Sequence, residues 1–364
     1  MAWGTFGLPS KDPYDLSATS TNPDLYKGDK MAAVTDIGID LGTSTIAVYV
    51  RGKGITIREP ALVAYDADAG KVRAIGDEAR QLVGHTTGNH VAIKPLAQGK
   101  ISDFMVIERM LRYFVDKAIG RRGILKPRIS ICVPSGVTEI EKRAVIEATY
   151  QAGAREVTLV KEPIAAAIGA DLDISRPNGN MVVDIGGGLT DIAVISLCGI
   201  VVSASIPVAG DNMTRAIISF LRSNYGLFIG EQTAESVKLK LGSSTSGERL
   251  EKLTINGRNV MSGLPKTVTL TRSDVQEAFR EPIRQIVEAV RNVLERTPPD
   301  LAGDLQSRGI ILAGGGCRIE GLEDILEKQT GLHVMTAQNP ESVVAHGTWK
   351  FAAVLDAFEN GKII

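Results

Sequence analysis

Cysteine and histidine are scarce in this chain, aromatic residues make up only 5%, and neither sign of charge is in excess. Three cysteines in 364 residues, Cys132, Cys198 and Cys317, are too few and too widely spaced for a disulfide scaffold or a CxxC-type zinc site. Each sits in an apolar run, so each is expected to be a buried, reduced thiol. Four histidines with no HExxH pattern argue against a histidine-based metal site. Lys+Arg is 41 against Asp+Glu 42, a net charge of −1. That balance lacks the basic surplus with which proteins neutralise nucleic-acid phosphates, so nucleic acid is not an expected partner. No apolar stretch approaches the ~18 residues of a membrane span. The start carries no charged segment followed by an apolar one, so no signal peptide is read and the expected location is the cytoplasm. The Walker pattern GxxxxGK[ST] is absent, as is GxGxxG, which argues against a P-loop and against a dinucleotide fold.

Glycine, by contrast, is plentiful, with 38 residues. The length suggests two or three domains, each able to bury its own core. Residues 1–31 are polar, without either apolar period, and read as a flexible extension. From Val34 the chain alternates strands with helices. Helical patterns cover 103–118, 138–153, 211–225, 230–241, 274–296 and 343–358. Thr138 and Glu141 form a capping-box signature, Gly153 ends that helix, and Pro298-Pro299 stops the long one. The segment TDIGIDLGTSTIAVYV reads as strand, glycine turn, strand. NMVVDIGGGLTDIAVIS repeats that pattern about 144 residues later. The expected class is α/β, built as two similar halves with a cleft between them.

Three glycine-rich turns each follow an apolar strand: DLGTST (40–45), DIGGGLT (184–190) and LAGGG (312–316). A glycine lets backbone N–H groups approach a phosphate closely, because no Cβ intervenes. Thr43, Ser44, Thr45 and Thr190 add hydroxyl donors beside them. Two such loops face to face could grip a triphosphate, with Asp40 and Asp184 at the mouth of the cleft. Paired carboxylates near phosphates suit Mg²⁺, which keeps several of its waters. The third loop, opening a helix, could hold the α-phosphate side or the base.

In their order, these loops resemble the actin, sugar-kinase and heat-shock chaperone superfamily, and within it the MreB/Mbl family of bacterial actins. The matching stretches are IGIDLGT, RGKGI, EPIAAAIGA, NMVVDIGGG, SGLPKT, LERTPPDL and LAGGG, which together span roughly residues 34–350. SGLPKT and LERTPPDL contain no nucleotide-binding pattern and so mark the family rather than the superfamily. The resemblance implies an actin-like (ribonuclease H-like) fold. Domain I would cover 32–174 plus 338–364, with a small subdomain at about 61–105. Domain II would cover 175–337, with a small subdomain at about 212–272. It further implies Mg-ATP bound between the domains, self-assembly into filaments, and slow hydrolysis that gates assembly. The location implied is the inner face of the cell membrane, with membrane lipid and cell-wall elongation and membrane proteins as partners, in a role maintaining cell shape.

Residue by residue, the resemblance assigns Asp40, Gly42, Thr43, Ser44 and Thr45 to the first phosphate loop. Asp184, Gly186, Gly187 and Gly188 form the second, and Asp40 and Asp184 serve the metal. Glu235 and Lys238 would meet ribose and adenine, and Gly314, Gly315, Gly316 and Cys317 the adenosine. Glu162 and Thr190 would orient the attacking water, with Asp191 beside them. Ile124 and Leu125, in the basic loop RRGILKPR, would enter the membrane. The chain departs from the family in three places. Thr45 and Ile46 stand where the family has Asn and Thr. Leu189 replaces the usual Thr after the triple glycine and can neither donate nor accept a hydrogen bond. Lys161 precedes Glu162 in place of an acid and is expected to favour the ionised glutamate. Hydrolysis slower than usual for the family follows. A plasmid-segregating or other scaffold with little turnover, and a small-molecule kinase, are the alternative readings.

Overall fold

The computed structural model describes residues 36–66, 71–85, 90–97, 100–101, 103–120, 126–243 and 250–359. The extension at 1–31 and the loop residues Ile124 and Leu125 lie outside them.

Two five-stranded sheets dominate, and both follow one connectivity. In the first, Asp36–Leu41, Thr45–Val50 and Gly54–Pro60 form an antiparallel meander. Arg128–Val133 and Glu156–Lys161 then extend it in parallel on the other side of the first strand. In the second, Asn180–Ile185, Thr190–Ser196 and Gly199–Ile206 form the meander. Ile310–Ala313 and Val334–Thr336 add in parallel to its first strand. The helices repeat as well. Phe104–Ile119 and Arg272–Glu295 each lead from the meander towards the fourth strand, and Glu139–Gln151 and Leu322–Thr330 each join the fourth strand to the fifth. The repeat read in the sequence is therefore a repeat of topology, and it holds at the register: Asp40 pairs with Ala47, and Asp184 pairs with Asp191.

The local rules explain the elements. The first strand of the second sheet is buried at every position, as a central strand with a parallel neighbour should be. Thr138 caps Glu139–Gln151: its hydroxyl accepts from the Glu141 N–H, and the Glu141 carboxylate accepts from the Thr138 N–H at 2.9 Å. The Pro pair does stop the long helix, but Pro299 then opens a further helix, Pro299–Arg308, which the sequence reading missed. Proline at a helix's first turn loses no hydrogen bond. The third glycine loop opens a 3₁₀ turn, Gly315–Arg318, and the α-helix begins only at Leu322. Cys198 is exposed, contrary to expectation. It shares a two-residue hairpin turn with Leu197, both at positive φ (58° and 49°), which points them away from the sheet.

Small three-stranded sheets flank each half: Val63–Asp66 with Lys71–Ile75 and His90–Ile93, and Leu227–Phe228 with Lys252–Asn259 and Pro265–Thr271. No helix among the described residues is long and apolar enough to cross a membrane.

The halves are joined by the helices Glu162–Gly169 and Val343–Glu359, which pack against each other. Alanines 165–167 and two glycines allow a backbone approach that larger residues would block. A Cβ on Gly347 would lie 1.7 Å from the Ala165 carbonyl, and one on Gly169 would lie 2.0 Å from the Val343 carbonyl. Overpacking of backbone on backbone cannot relax by a rotamer change. Gly347→Ala is therefore expected to lower stability by at least ~2 kcal/mol. Gly303→Ala, in a helix with open space around that position, should raise it by ~0.5–1 kcal/mol. Urea melts of the two variants check both signs.

Candidate functional site

The two meanders point their first turns at one another. Asp40 and Asp184 each sit at the next-to-last position of their strands, at the carboxyl ends where open α/β sheets place ligands. Beyond them the glycine turns touch. The Gly188 N–H donates to Thr43 Oγ1 at 2.8 Å, and the Ser44 hydroxyl donates to Asp211 at 3.1 Å. Lys94, from the small sheet of the first half, donates to the other oxygen of Asp211 at 2.9 Å. Glycine is obligatory at this contact: a Cβ on Gly187 would lie 2.0 Å from Ser44 Oγ, and one on Gly188 would lie 2.8 Å from Thr43 Oγ1. Gly42 is equally confined, by the Thr45 carbonyl. The Gly186 N–H closes the second turn onto the Leu189 carbonyl at 2.9 Å. Thr45 opens the return strand and is exposed.

Four carboxylates meet under these turns: Asp40, Asp184, Asp191 and Glu162. Asp184 is 6% exposed, and its carboxylate has no hydrogen-bond or cationic partner among the described residues. Burial, then the neighbouring Asp40 and Asp191, push it well above the usual carboxylate range. Burial raises Asp40 to about 6, against hydrogen bonding from the Cys132 thiol (3.2 Å) and the charge of Arg58. Glu162 is also pushed well up, by burial, by the charges of Asp191, Asp184 and Asp40, and by a hydrogen bond shared with Asp191. Lys161 was expected to do the opposite. It is exposed and contributes nothing resolved at Glu162, so desolvation and like charge decide. Asp191 ties the halves together. It accepts from the Ser135 N–H (3.0 Å) and hydroxyl (2.8 Å) of the first half and from Ser205 of its own sheet. The sequence reading missed Ser135, Ser205, Asp211, Lys94 and Cys132; only strand register and sheet order bring them here.

Thr190 is not part of this cluster. Successive residues of a strand point to opposite faces. Asp184 and Asp191 are cross-strand partners on one face, so Thr190 lies on the other. It is fully buried, and its hydroxyl donates to the Val208 carbonyl at 2.6 Å. Of the two residues that the sequence reading set beside Glu162, Asp191 meets it and Thr190 does not.

Glu235 and Lys238 do come together beside the second loop. Their side chains pair at 2.7 Å, Thr214 donates to Glu235 at 2.6 Å, and Lys238 donates to the Gly210 carbonyl at 3.1 Å. The N–H groups of Gly210 and Asp211 donate in turn to the carbonyls of Gly186 and Gly187. The third loop packs on the second sheet. A Cβ on Gly314 would meet Ile185 O and Asp184 Oδ1, and one on Gly316 would meet Ile185 Cγ2. Those two glycines are thus required by strand packing, whereas Gly315 is open. The Cys317 side chain is buried in the core of the second half, where its thiol donates to the Gly314 carbonyl, so it presents no side chain to a ligand.

The buried, unpartnered Asp184 and the raised Asp40 and Glu162 are a carboxylate set whose positive charge, among the described residues, comes only from Arg58, acting on Asp40. That is the donor chemistry a hard divalent cation such as Mg²⁺ takes.

The family described as MreB/Mbl protein matches residues 34–360. The chain is 46% identical over 328 residues to the cell shape-determining protein Mbl of Bacillus subtilis, covering 90% of this chain and 98% of Mbl. It is 45% identical over 327 residues to the cell shape-determining protein MreB of Escherichia coli, covering 88% and 94%. The crystal structure of MreB5 of Spiroplasma citri bound to AMPPNP superposes with a TM-score of 0.83 at 34% identity, covering 91% of this chain and all of that one. The fold is therefore the two-domain actin-like α/β fold that the sequence resemblance implied.

Two outcomes follow from the geometry. Asp40 binds its proton more tightly folded (about 6) than unfolded (3.8), so its contribution to stability is present below pH 3.8 and lost as pH rises through about 6. In EDTA without nucleotide, the urea midpoint should therefore rise from pH 8 to pH 5.5. Asp40 contributes ~1 kcal/mol of that, and Glu162 and Asp184 add to it. Gly187→Ala should lower stability by ~1–3 kcal/mol through collision with Ser44. Ser44→Gly in the same chain should recover most of the loss in a double-mutant cycle.

Proposed function

The chain belongs to the MreB/Mbl family, and from that premise we propose that it is an ATP-dependent, filament-forming bacterial actin homologue. It works at the cytoplasmic face of the membrane, where it organises cell-wall synthesis and maintains cell shape. The observation that carries the reading is the meeting of two glycine hairpins, related by the internal repeat, over four carboxylates, of which Asp184 and Asp191 are buried and Asp40 and Glu162 half-buried. The domain limits are proposed as 32–174 plus 338–364 and 175–337, so that the junction just described is the interdomain cleft.

Each group at the junction then has a task. Gly42, Thr43, Ser44 and Thr45 on one side and Gly186, Gly187 and Gly188 on the other hold the phosphates. The Gly188 N–H and the hydroxyls of Thr43 and Ser44 exchange their bonds across the junction for bonds to phosphate oxygens. Asp40 and Asp184 would hold Mg²⁺, which would supply charge neutralisation at the phosphates. Glu235 and Lys238 contact ribose and adenine, and the backbone of Gly314–Cys317 lies along the adenosine. Glu162 orients the attacking water, and Asp191, fixed by Ser135 and Ser205, holds the Glu162 carboxyl in place. Catalysis of this kind is mostly positioning and electrostatics.

Leu189 offers no hydrogen bond at the junction, and Thr190 spends its hydroxyl on Val208. Turnover is correspondingly slow, and the alternative of a scaffold that binds ATP and barely hydrolyses it rests on the same two residues. Closure of the domains on Mg-ATP sets the surfaces that join subunits head to tail, a non-closing contact that yields filaments. Ile124 and Leu125 enter the membrane, and neighbouring cations add ~1 kcal/mol each at an anionic surface. Membrane and cell-wall elongation proteins are the further partners.

Sedimentation tests the reading. The protein should pellet with Mg-ATP on anionic liposomes and not with Mg-ADP or without nucleotide, and pelleting should fall when Ile124 and Leu125 become serine. ATP bound without pelleting in any condition would point to a kinase or a regulatory nucleotide-binding module instead. Leu189→Thr should speed phosphate release several-fold, and an unchanged rate would remove Leu189 from the account of slow turnover.

A further inference from the structure

Cys132 has no task in the nucleotide reading, yet it lies inside the carboxylate cluster. It is buried at the fifth position of Arg128–Val133, next to the first strand, and its thiol is 3.2 Å from Asp40 Oδ1. A carboxylate oxygen of Glu162 completes a triangle: the Cys132 sulfur and the Asp40 and Glu162 oxygens all lie within 4.8 Å of one another. The three donors come from three different elements, a strand end, a parallel neighbour strand and the first turn of a helix. Their relative positions are therefore fixed by the fold and not by a loop.

That spacing is close to a metal's coordination sphere. Zinc bonds of ~2.3 Å to sulfur and ~2.0–2.2 Å to carboxylate oxygen place tetrahedral ligand atoms ~3.3–3.6 Å apart. A second, independent observation says that the pocket takes a cation. Asp184 faces Asp40 from the other half at 6% exposure with no partner among the described residues. Magnesium is a hard cation that prefers oxygen and takes no benefit from the thiol, whereas zinc, cobalt and cadmium bind sulfur well.

We propose that Asp40, Cys132 and Glu162 form a direct binding site for a thiophilic divalent cation of the zinc class, in the absence of Mg-nucleotide. As the sulfur–metal bond forms, the thiol gives its proton to solvent. A water takes the fourth position. Because Asp40 serves both, this metal and Mg-nucleotide exclude one another. That exclusion rests on the nucleotide reading above; binding of the metal does not.

Cobalt(II) is the probe, added to the full chain freed of nucleotide and magnesium. The expected result is one cobalt per chain with a thiolate-to-cobalt charge-transfer band in the near ultraviolet, removed by zinc. Cys132→Ser should abolish the band and weaken cobalt binding at least tenfold. Cys198→Ser, which alters the exposed thiol, should leave the band in place. Absence of the band in the unmodified chain, its survival in Cys132→Ser, or its loss in Cys198→Ser overturns the site. Addition of saturating Mg-ATP should bleach the band, and a band that persists with ATP shown to be bound overturns the exclusion. A chain that shows the cobalt band but binds no ATP contradicts the nucleotide reading and leaves the metal site standing.

Discussion

Four carboxylates share one small, largely dry space where the two halves of this protein join, and most of the local structure is arranged around that charge. Like charges brought together out of water favour protonation or a counter-ion. Here the protein supplies only part of the compensation. Ser135, Ser205 and the Cys132 thiol donate hydrogen bonds, and Arg58 acts from a distance. Asp184 receives none of this. The shortfall leaves the junction with a place for positive charge, which a bound cation would supply.

The fold is rigid on both sides of that junction. Behind the cluster, Glu162–Gly169 and Val343–Glu359 lock through glycines that admit no Cβ. Above it, the two glycine turns meet so closely that backbone replaces side chain at the contact. Between these fixed layers, Asp191 accepts bonds from Ser135 of the opposite half, and Asp211 accepts bonds from Ser44 and Lys94 of the opposite half. The same loop atoms that the proposed function assigns to phosphate, the Gly188 N–H and the Thr43 and Ser44 hydroxyls, here bond across the cleft.

Much of this was legible in the sequence. Alternation places the strands, the capping box places Glu139–Gln151, and recurrence of an acid before a glycine turn shows the duplication. What pattern could not supply was facing. Thr190 and Asp191 are neighbours in sequence, yet one points into the core and the other into the cleft, and only the register with Ile185 and Asp184 decides which. Cys132 lies in an ordinary buried strand and Ser135 just beyond its end, and sheet order alone brings them beside Asp40 and Asp191. Cys198 misled because an apolar run continues through a tight hairpin whose turn residues leave the sheet. The loop carrying Ile124 and Leu125, whose membrane role comes from the family resemblance, lies outside the described residues.

The claim on which the rest depends is that the carboxylate cluster is held partly protonated until a cation replaces the protons. Calorimetric titration of Mg-ATP into the nucleotide-free protein near neutral pH, repeated in buffers of different ionisation enthalpy, counts the protons exchanged on binding. The account predicts a net release of protons, falling when Glu162 is replaced by Gln. Binding that exchanges no protons, or takes them up, would contradict it.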